Sequence, residues 1–305
     1  GKKDEFGYTI IQTGDGGRAV LACAKKAGNV YLSKIDERGN VKWDKTPLIS
    51  VICDYGRSVP SFIIQAKDGR YTIVWGTDIY IDHPPEYEYD KIRTGLTDRP
   101  HTAMNSFIQT KDGGYAGAGR SSRDAWVFKL DERGRVEWDK TYGESRDGEA
   151  YDEEEADSII QTKDGGYAAA GRRRRDIWVF KLDERGRVEW DKTFTRSKRK
   201  EWSIQRDMVT SFIQTKDGGY VISGYIDVSK TAHRIDSSAT WVFKLNERGK
   251  VEWDKIFGEE NDGCLTQAYS IIQTKDGGYA LAGRTNAKKP SAGGDDIWVI
   301  KLNKP

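Results

Sequence analysis

Along most of the chain, apolar and polar residues alternate in short runs, broken by turns rich in Gly and Asp, and no stretch carries the 3.6-residue period of a helix. The stretch 158–194 contains one complete unit of this pattern. Ser158–Thr162 predicts a first strand, Lys163-Asp164-Gly165-Gly166 a hairpin turn whose glycines are free to take positive φ, and Tyr167–Gly171 a second strand. Asp176–Leu182 predicts a third strand, Asp183-Glu184-Arg185-Gly186 a further turn, and Arg187-Val188-Glu189-Trp190 the start of a fourth. The third strand is apolar on both faces, with Trp178, Phe180 and Leu182 on one and Ile177 and Val179 on the other, so its sheet is expected to be covered on both sides. The fourth alternates Val188 and Trp190 with Glu189 and Asp191, the pattern of a half-exposed outer edge. The second is made of small residues, Ala168-Ala169-Ala170-Gly171 here and Ala116-Gly117-Ala118-Gly119 in another copy, which suits an inner strand where sheets converge.

The unit recurs six times. The Gln of its Ser-Ile-Ile-Gln-Thr-Lys-Asp-Gly-Gly-Tyr phrase stands at Gln12, Gln65, Gln109, Gln161, Gln214 and Gln273, at intervals of 44 to 59 residues. Six four-stranded repeats predict an all-β, six-bladed β-propeller of antiparallel blades, a single domain over residues 1–305. The blades are expected at 8–45, 61–91, 106–142, 158–194, 211–257 and 270–303. The second copy is degenerate: Tyr80 and Tyr89 replace the third- and fourth-strand tryptophans. The last copy stops after its third strand at Leu302, so a three-stranded last blade is expected. Lys3-Asp4-Glu5-Phe6 resembles a fourth strand, but the chain joining it to the first inner strand reaches only about 10 Å. Three strand spacings need roughly 14 Å. The tryptophans of the third strands (126, 178, 241, 298) and of the fourth strands (43, 138, 190, 253) are expected to be buried between blades.

The phrase Val-Phe-Lys-Leu-Asp-Glu-Arg-Gly-Arg-Val-Glu-Trp resembles the repeat of pyrroloquinoline-quinone-type propellers, in which a Trp docks between blades. The whole unit is more similar to tandem propeller repeats of secreted proteins and lipoproteins of archaea and bacteria. That resemblance implies a fold, and an extracellular or cell-surface setting, but no chemistry. The quinoproteins have eight blades, a quinone, calcium and a vicinal disulfide. This chain has six repeats and no adjacent cysteines, so no cofactor is expected.

Composition narrows the partners. Charged residues make up 32% and aromatics 11%, with ten Trp and fifteen Tyr, which calls for a packed core. A net charge of only +2 argues against a whole-surface nucleic-acid binder, and no apolar run is long enough to predict a membrane span. Abundant Lys, Arg and Glu with few Cys, Met and His is a thermophile-like composition. Cys23, Cys53 and Cys264 have no metal-binding spacing; Cys23 and Cys53 share one loop face and can pair in an oxidising compartment, a buried free thiol being the commoner state. His83, His101 and His233 are scattered.

The turns hardly vary between copies, whereas the loops between second and third strands and those joining blades do, so function is expected there. The densest feature is basic: Arg172, Arg173, Arg174 and Arg175 fill one loop of the fourth blade, and Lys198, Arg199, Lys200 and Trp202 lie in the next connection. Such a cluster either grips an anionic partner or pairs with Glu149, Asp152, Glu153, Glu154 and Glu155 in the preceding connection. The expected function is a non-enzymatic binding or scaffolding propeller presenting variable loops to a protein or surface partner. The alternatives are a carbohydrate-binding propeller and a glycosidase or lyase with carboxylates at the central funnel. The sequence sets no oligomeric state.

Overall fold

The computed structural model describes residues 5–24, 29–45, 60–65, 71–75, 78–83, 88–92, 96, 102–143, 153–195, 207–227, 238–258, 265–286 and 296–303. The first sheet contains β1 (Glu5–Gln12), β2 (Arg18–Ala24), β3 (Asn29–Ile35) and β4 (Val41–Lys45), and the second β5 (Pro60–Gln65), β6 (Tyr71–Trp75), β7 (Asp78–His83) and β8 (Glu88–Ile92). The third contains β9 (Thr102–Gln109), β10 (Tyr115–Ser121), β11 (Asp124–Leu130) and β12 (Val136–Tyr142), and the fourth β13 (Glu154–Gln161), β14 (Tyr167–Arg173), β15 (Asp176–Leu182) and β16 (Val188–Phe194). The fifth contains β17 (Met208–Gln214), β18 (Tyr220–Asp227), β19 (Ser238–Leu245) and β20 (Val251–Phe257), and the sixth β21 (Thr266–Gln273), β22 (Tyr279–Thr285) and β23 (Asp296–Leu302). Strands lie side by side in chain order, four in each of five sheets and three in the sixth. This is a β-propeller of antiparallel four-stranded blades. Gly1–Gly117 with Lys129–Glu137 form one compact unit and Ala118–Phe128 with Trp138–Pro305 a second, so the division runs through the third sheet.

Two sequence expectations are corrected. Within each unit it is the first strands of neighbouring sheets that approach one another, β1 with β5 and β5 with β9, β13 with β17 and β17 with β21. The first strand, not the second, is therefore the inner one. The small residues of the second strand serve the layer between sheets instead: Ala168 and Ala170 pack with Tyr220, Ile222 and Phe243 of the fifth sheet. The strands also begin one to four residues before the expected starts, because the first strand carries a bulge that reverses the alternation on which the reading relied.

The third-strand residues Trp126, Trp178 and Trp241 are buried, and their indole N–H groups donate to Asp139, Asp191 and Asp254 on the fourth strand. Trp298 and the fourth-strand tryptophans are only partly buried. The fourth-strand residue instead docks on the following sheet. Trp43, Trp138, Trp190 and Trp253 each pack against the Tyr that opens the next second strand, Tyr71, Tyr167, Tyr220 and Tyr279. Trp138 Nε1 also donates to Glu184 O at 3.0 Å, in the turn where Gly186 has φ +70° and a Cβ would meet the indole at 2.9 Å.

The recurring Gln is an inter-sheet staple. Gln65, Gln214 and Gln273 accept the backbone N–H of Gly14, Lys163 and Lys216 in the turn of the preceding sheet. A third device was hidden in the repeat. The third-strand Lys is buried and reaches the turn Asp and the fourth-strand Glu of its own sheet: Lys181 lies 3.0 Å from both Asp164 and Glu189, and Lys129 lies 2.9 Å from Asp112 and 3.2 Å from Glu137. Lys244 pairs likewise with Asp217 and Glu252.

Lys244→Met keeps the aliphatic packing and leaves two carboxylates without their cation. Because both acids are half-exposed, the expected cost at neutral pH is about 2 kcal/mol, below the ~3–5 kcal/mol of a wholly buried pair, read from the urea midpoint. Burial alone would raise Asp217, yet hydrogen bonds from Lys244 and Thr215 hold it at about 2, below the ordinary 3.8. That stabilisation is present above the ordinary value and lost as pH falls through the folded one. The gap between wild type and variant should therefore narrow in acid.

Candidate functional site

One residue of the first strand escapes this scheme of recurring structural roles. The ladder between first and second strands slips by one residue at Tyr8, Ser61, Asp157, Thr210 and Tyr269, leaving each outside the pairing. The residues after the slip recur from copy to copy, while the bulged one varies among aromatic, hydroxyl and acidic side chains. A bulge frees and redirects a side chain that the ladder would otherwise fix. The glycine opposite is a steric requirement: a Cβ on Gly171 would sit 2.0 Å from Glu155 O, and one on Gly283 1.9 Å from Gln267 O. In the first sheet the pair is Gly7 facing Ala22, so the glycine has changed strands.

In the second unit, three neighbouring sheets bring a titratable group around Tyr225 of β18. Its hydroxyl pKa is raised by burial first, then by Asp157 of β13 and Tyr269 of β21, against the opposing pull of Arg172 of β14 and Arg284 of β22. Tyr225 donates to Met208 Sδ at 2.6 Å. Tyr269 is 49% exposed; its hydroxyl donates to Gln267 Oε1 at 3.1 Å, and the same oxygen accepts Arg284 Nε at 3.2 Å and Nη2 at 3.1 Å. This fixes an exposed ring beside a fixed guanidinium. Gln267 Nε2 in turn donates to Ser238 Oγ at 3.2 Å.

Asp157 is the most perturbed member. Burial pushes its carboxyl up to about 7; Arg172 pulls it down, Glu155 pushes it up, and the Val209 N–H donates to it. Its Oδ2 is buried without a hydrogen bond among the described residues. A carboxyl held near neutrality on an inner strand accepts or donates a hydrogen bond according to pH. Neither periodicity nor motif pointed to it. The available signal was the changing residue before each Ser-Ile-Ile-Gln.

The basic run does not form one loop. Arg172 and Arg173 belong to strand β14, and only Arg174 and Arg175 to the turn that follows. Arg172 is paired with Glu155. Arg173 reaches Glu154 at 3.0 Å and Asp191 at 2.8 Å, with its guanidinium 4.0 Å from the Trp178 ring centroid. Arg174 has φ +59° and donates its N–H to Glu153 O at 3.1 Å, and Arg175 O accepts the Asp207 N–H at 3.0 Å. In the preceding sheet Arg120 lies 3.3 Å from Glu153. Lys198, Arg199, Lys200 and Trp202 lie outside the described residues, as do Glu149, Asp152, His101, His233, Cys53 and Cys264 and the side chains of Cys23 and His83. His83 ends strand β7. Among the described residues no group of three His, Cys, Asp or Glu side chains is arranged to hold a metal, and no helix is long and apolar enough to cross a membrane.

No protein-family model and no curated protein matches the chain. Solved structures do. A luciferin-regenerating enzyme is 10% identical with a TM-score of 0.50, the match covering 92% of this chain and 84% of that one. Regucalcin from Agrobacterium tumefaciens, a calcium-binding protein, is 9% identical with a TM-score of 0.48, over 98% and 92%. The extracellular domain of a putative one-component system from B. thetaiotaomicron is 10% identical with a TM-score of 0.45; the match covers 92% of this chain but spans only 37% of that one. At such identities a likeness carries the fold alone.

Proposed function

We propose that the six sheets are the blades of one six-bladed propeller domain over residues 1–305, and that it is a non-enzymatic binding module for a protein or glycan partner. One observation carries this reading: the recurring Gln, Trp and Tyr are spent between sheets and the recurring Lys and turn Asp within them, while the inner-strand bulges vary among tyrosine, serine, aspartate and threonine. Recognition is assigned to the bulges and to the variable loops. The engagement of Arg172 and Arg173 with Glu155, Glu154 and Asp191 favours an intramolecular role for those two. Arg174, Arg175, Lys198, Arg199, Lys200 and Trp202 are proposed to border the site. An extracellular or cell-surface setting is part of the proposal, tested by labelling an epitope tag on intact cells.

A glycan ligand is favoured by one feature, the half-exposed Tyr269 ring held beside Arg284, since a fixed aromatic face flanked by planar donors suits a polyol. The test is a glycan array run with the wild type and with Tyr269→Ala. Binding that falls at least tenfold in the variant, at unchanged melting temperature, is expected. Retained binding would remove the bulge from recognition, and turnover of a glycoside by the purified wild type would replace the binding reading with an enzymatic one.

A further inference from the structure

The bulged side chains differ in how far the fold satisfies them. Thr210 Oγ1 donates to Ser223 O at 3.1 Å, and the Tyr269 hydroxyl donates to Gln267 Oε1, each within its own sheet. Asp157 accepts the Val209 N–H of β17, yet its Oδ2 is buried without a hydrogen bond among the described residues. Arg172, whose charge acts on Asp157, is fixed by its Nη2 on Glu155, while its Nε is buried and equally without an acceptor among those residues. The pairing inside the chain thus orients Arg172 and still leaves one donor to give. Two buried polar atoms left open in one cluster weaken the fold unless something outside the chain meets them.

The groups around Asp157 decide what that something is. Burial pushes its carboxyl towards the protonated form, Glu155 of the same strand acts in the same sense, and Arg172 of β14 opposes them. Tyr225 of β18 is kept neutral by burial and spends its proton on Met208 Sδ. With Val209 on one carboxyl oxygen, the proton of Asp157 sits on Oδ2 and makes it a donor. Two donors, Asp157 Oδ2–H and Arg172 Nε–H, suit the oxygens of a carboxylate. An ammonium group brings only donors and a positive charge towards the Arg172 guanidinium, which disfavours a cationic ligand. Tyr225 responds to Asp157 and to Tyr269 alike, so one oligosaccharide can span both.

We propose that this cluster holds the carboxylate of an acidic sugar between protonated Asp157 and Arg172, the glycan continuing over Tyr269. The assignment rests on the glycan reading above and narrows it to uronate-bearing chains whose uptake is linked to a proton. A sugar carboxyl resembles an α-carboxyl, which ionises near ~3.5, so the ligand keeps its charge from pH 5.5 to pH 8. Asp157 of the free protein is held at about 7. A bound carboxylate favours the protonated form and raises that value further, so above it each uronate must bring a proton with it. Affinity is therefore flat in acid and falls about tenfold by pH 8.

The experiment is calorimetry on the whole chain at constant ionic strength, with a hexuronate trisaccharide and its carboxyl-reduced, neutral counterpart. The uronate should bind about tenfold tighter at pH 5.5 than at pH 8, and at pH 5.5 about tenfold tighter than the neutral sugar. Asp157→Asn carries an amide donor at every pH, so its affinity for the uronate should not change between the two. A wild-type affinity that ignores pH, or a variant that keeps the wild-type slope, would overturn the proposal. A neutral trisaccharide that binds as tightly as the uronate, and is lost in Tyr269→Ala, would overturn the acidic-sugar assignment and leave the glycan reading standing. Binding of neither trisaccharide would overturn it as well; a glycan array positive for other sugars would then keep the glycan reading, and an empty array would remove both.

Discussion

Trp178→Ala should lower the unfolding free energy by about 3–5 kcal/mol, the cost of emptying a filled indole site in a packed core. Trp178 is 2% exposed, and its ring centroid lies 4.3 Å from that of Phe180. The loss extends beyond volume. Asp191 accepts the indole N–H at 3.1 Å, and Arg173, which spans Glu154 and Asp191, lies over the ring at 4.0 Å. Removing the ring therefore loosens an ion-pair network and opens a cavity in the same step. Trp190→Ala should cost roughly half as much, because its ring packs on Tyr220 while remaining partly open to solvent. Guanidinium unfolding of the two variants checks the order. A Trp178 variant within about 1 kcal/mol of wild type would mean that the sheets are not packed as described, since such a loss is far below that of a filled core site.

The sequence made the repeat legible because its turns are chemically obligatory. Gly165 takes φ +92° and Gly186 φ +70°, and Asp183 Oδ1 accepts the N–H groups of Arg185 and Arg187, so these residues recur wherever the turn does. The two-faced apolar third strand was legible for the same reason: Ile177, Trp178, Val179 and Phe180 are all buried. Three features escaped. The bulge shifts the phase of alternation, which concealed both the start of each first strand and its inner position. Lys181 reads as a surface residue in an alternating pattern, yet two carboxylates from its own sheet allow it to be buried. The arginine run reads as a loop because four like charges suggest solvent, but strand geometry sends Arg172 and Arg173 to different acidic partners. The candidate site was invisible for a further reason. Its members come from three sheets, and Asp157, Tyr225 and Tyr269 stand where the residue changes between copies, so pattern reading has little to match there.

The central claim is that the repeated residues hold the fold while the bulged residues are kept for recognition, even at a cost in stability. Asp157 makes this measurable. Burial holds its folded carboxyl at about 7, above the ordinary 3.8, with Oδ2 lacking a hydrogen bond among the described residues. Between those two values the unfolded chain releases a proton that the folded protein retains. Stability contributed at this site is therefore full in acid and falls as pH rises through the window, by up to about 1.4 kcal/mol per pH unit. Asparagine does not titrate. The deciding measurement is the unfolding free energy of wild type and Asp157→Asn from pH 4 to pH 8. The two curves should lie close together at pH 4 and separate as pH rises, leaving the variant more stable at pH 8 by about 2–4 kcal/mol. A variant less stable than wild type at pH 8 would make Asp157 one more structural residue and contradict the claim.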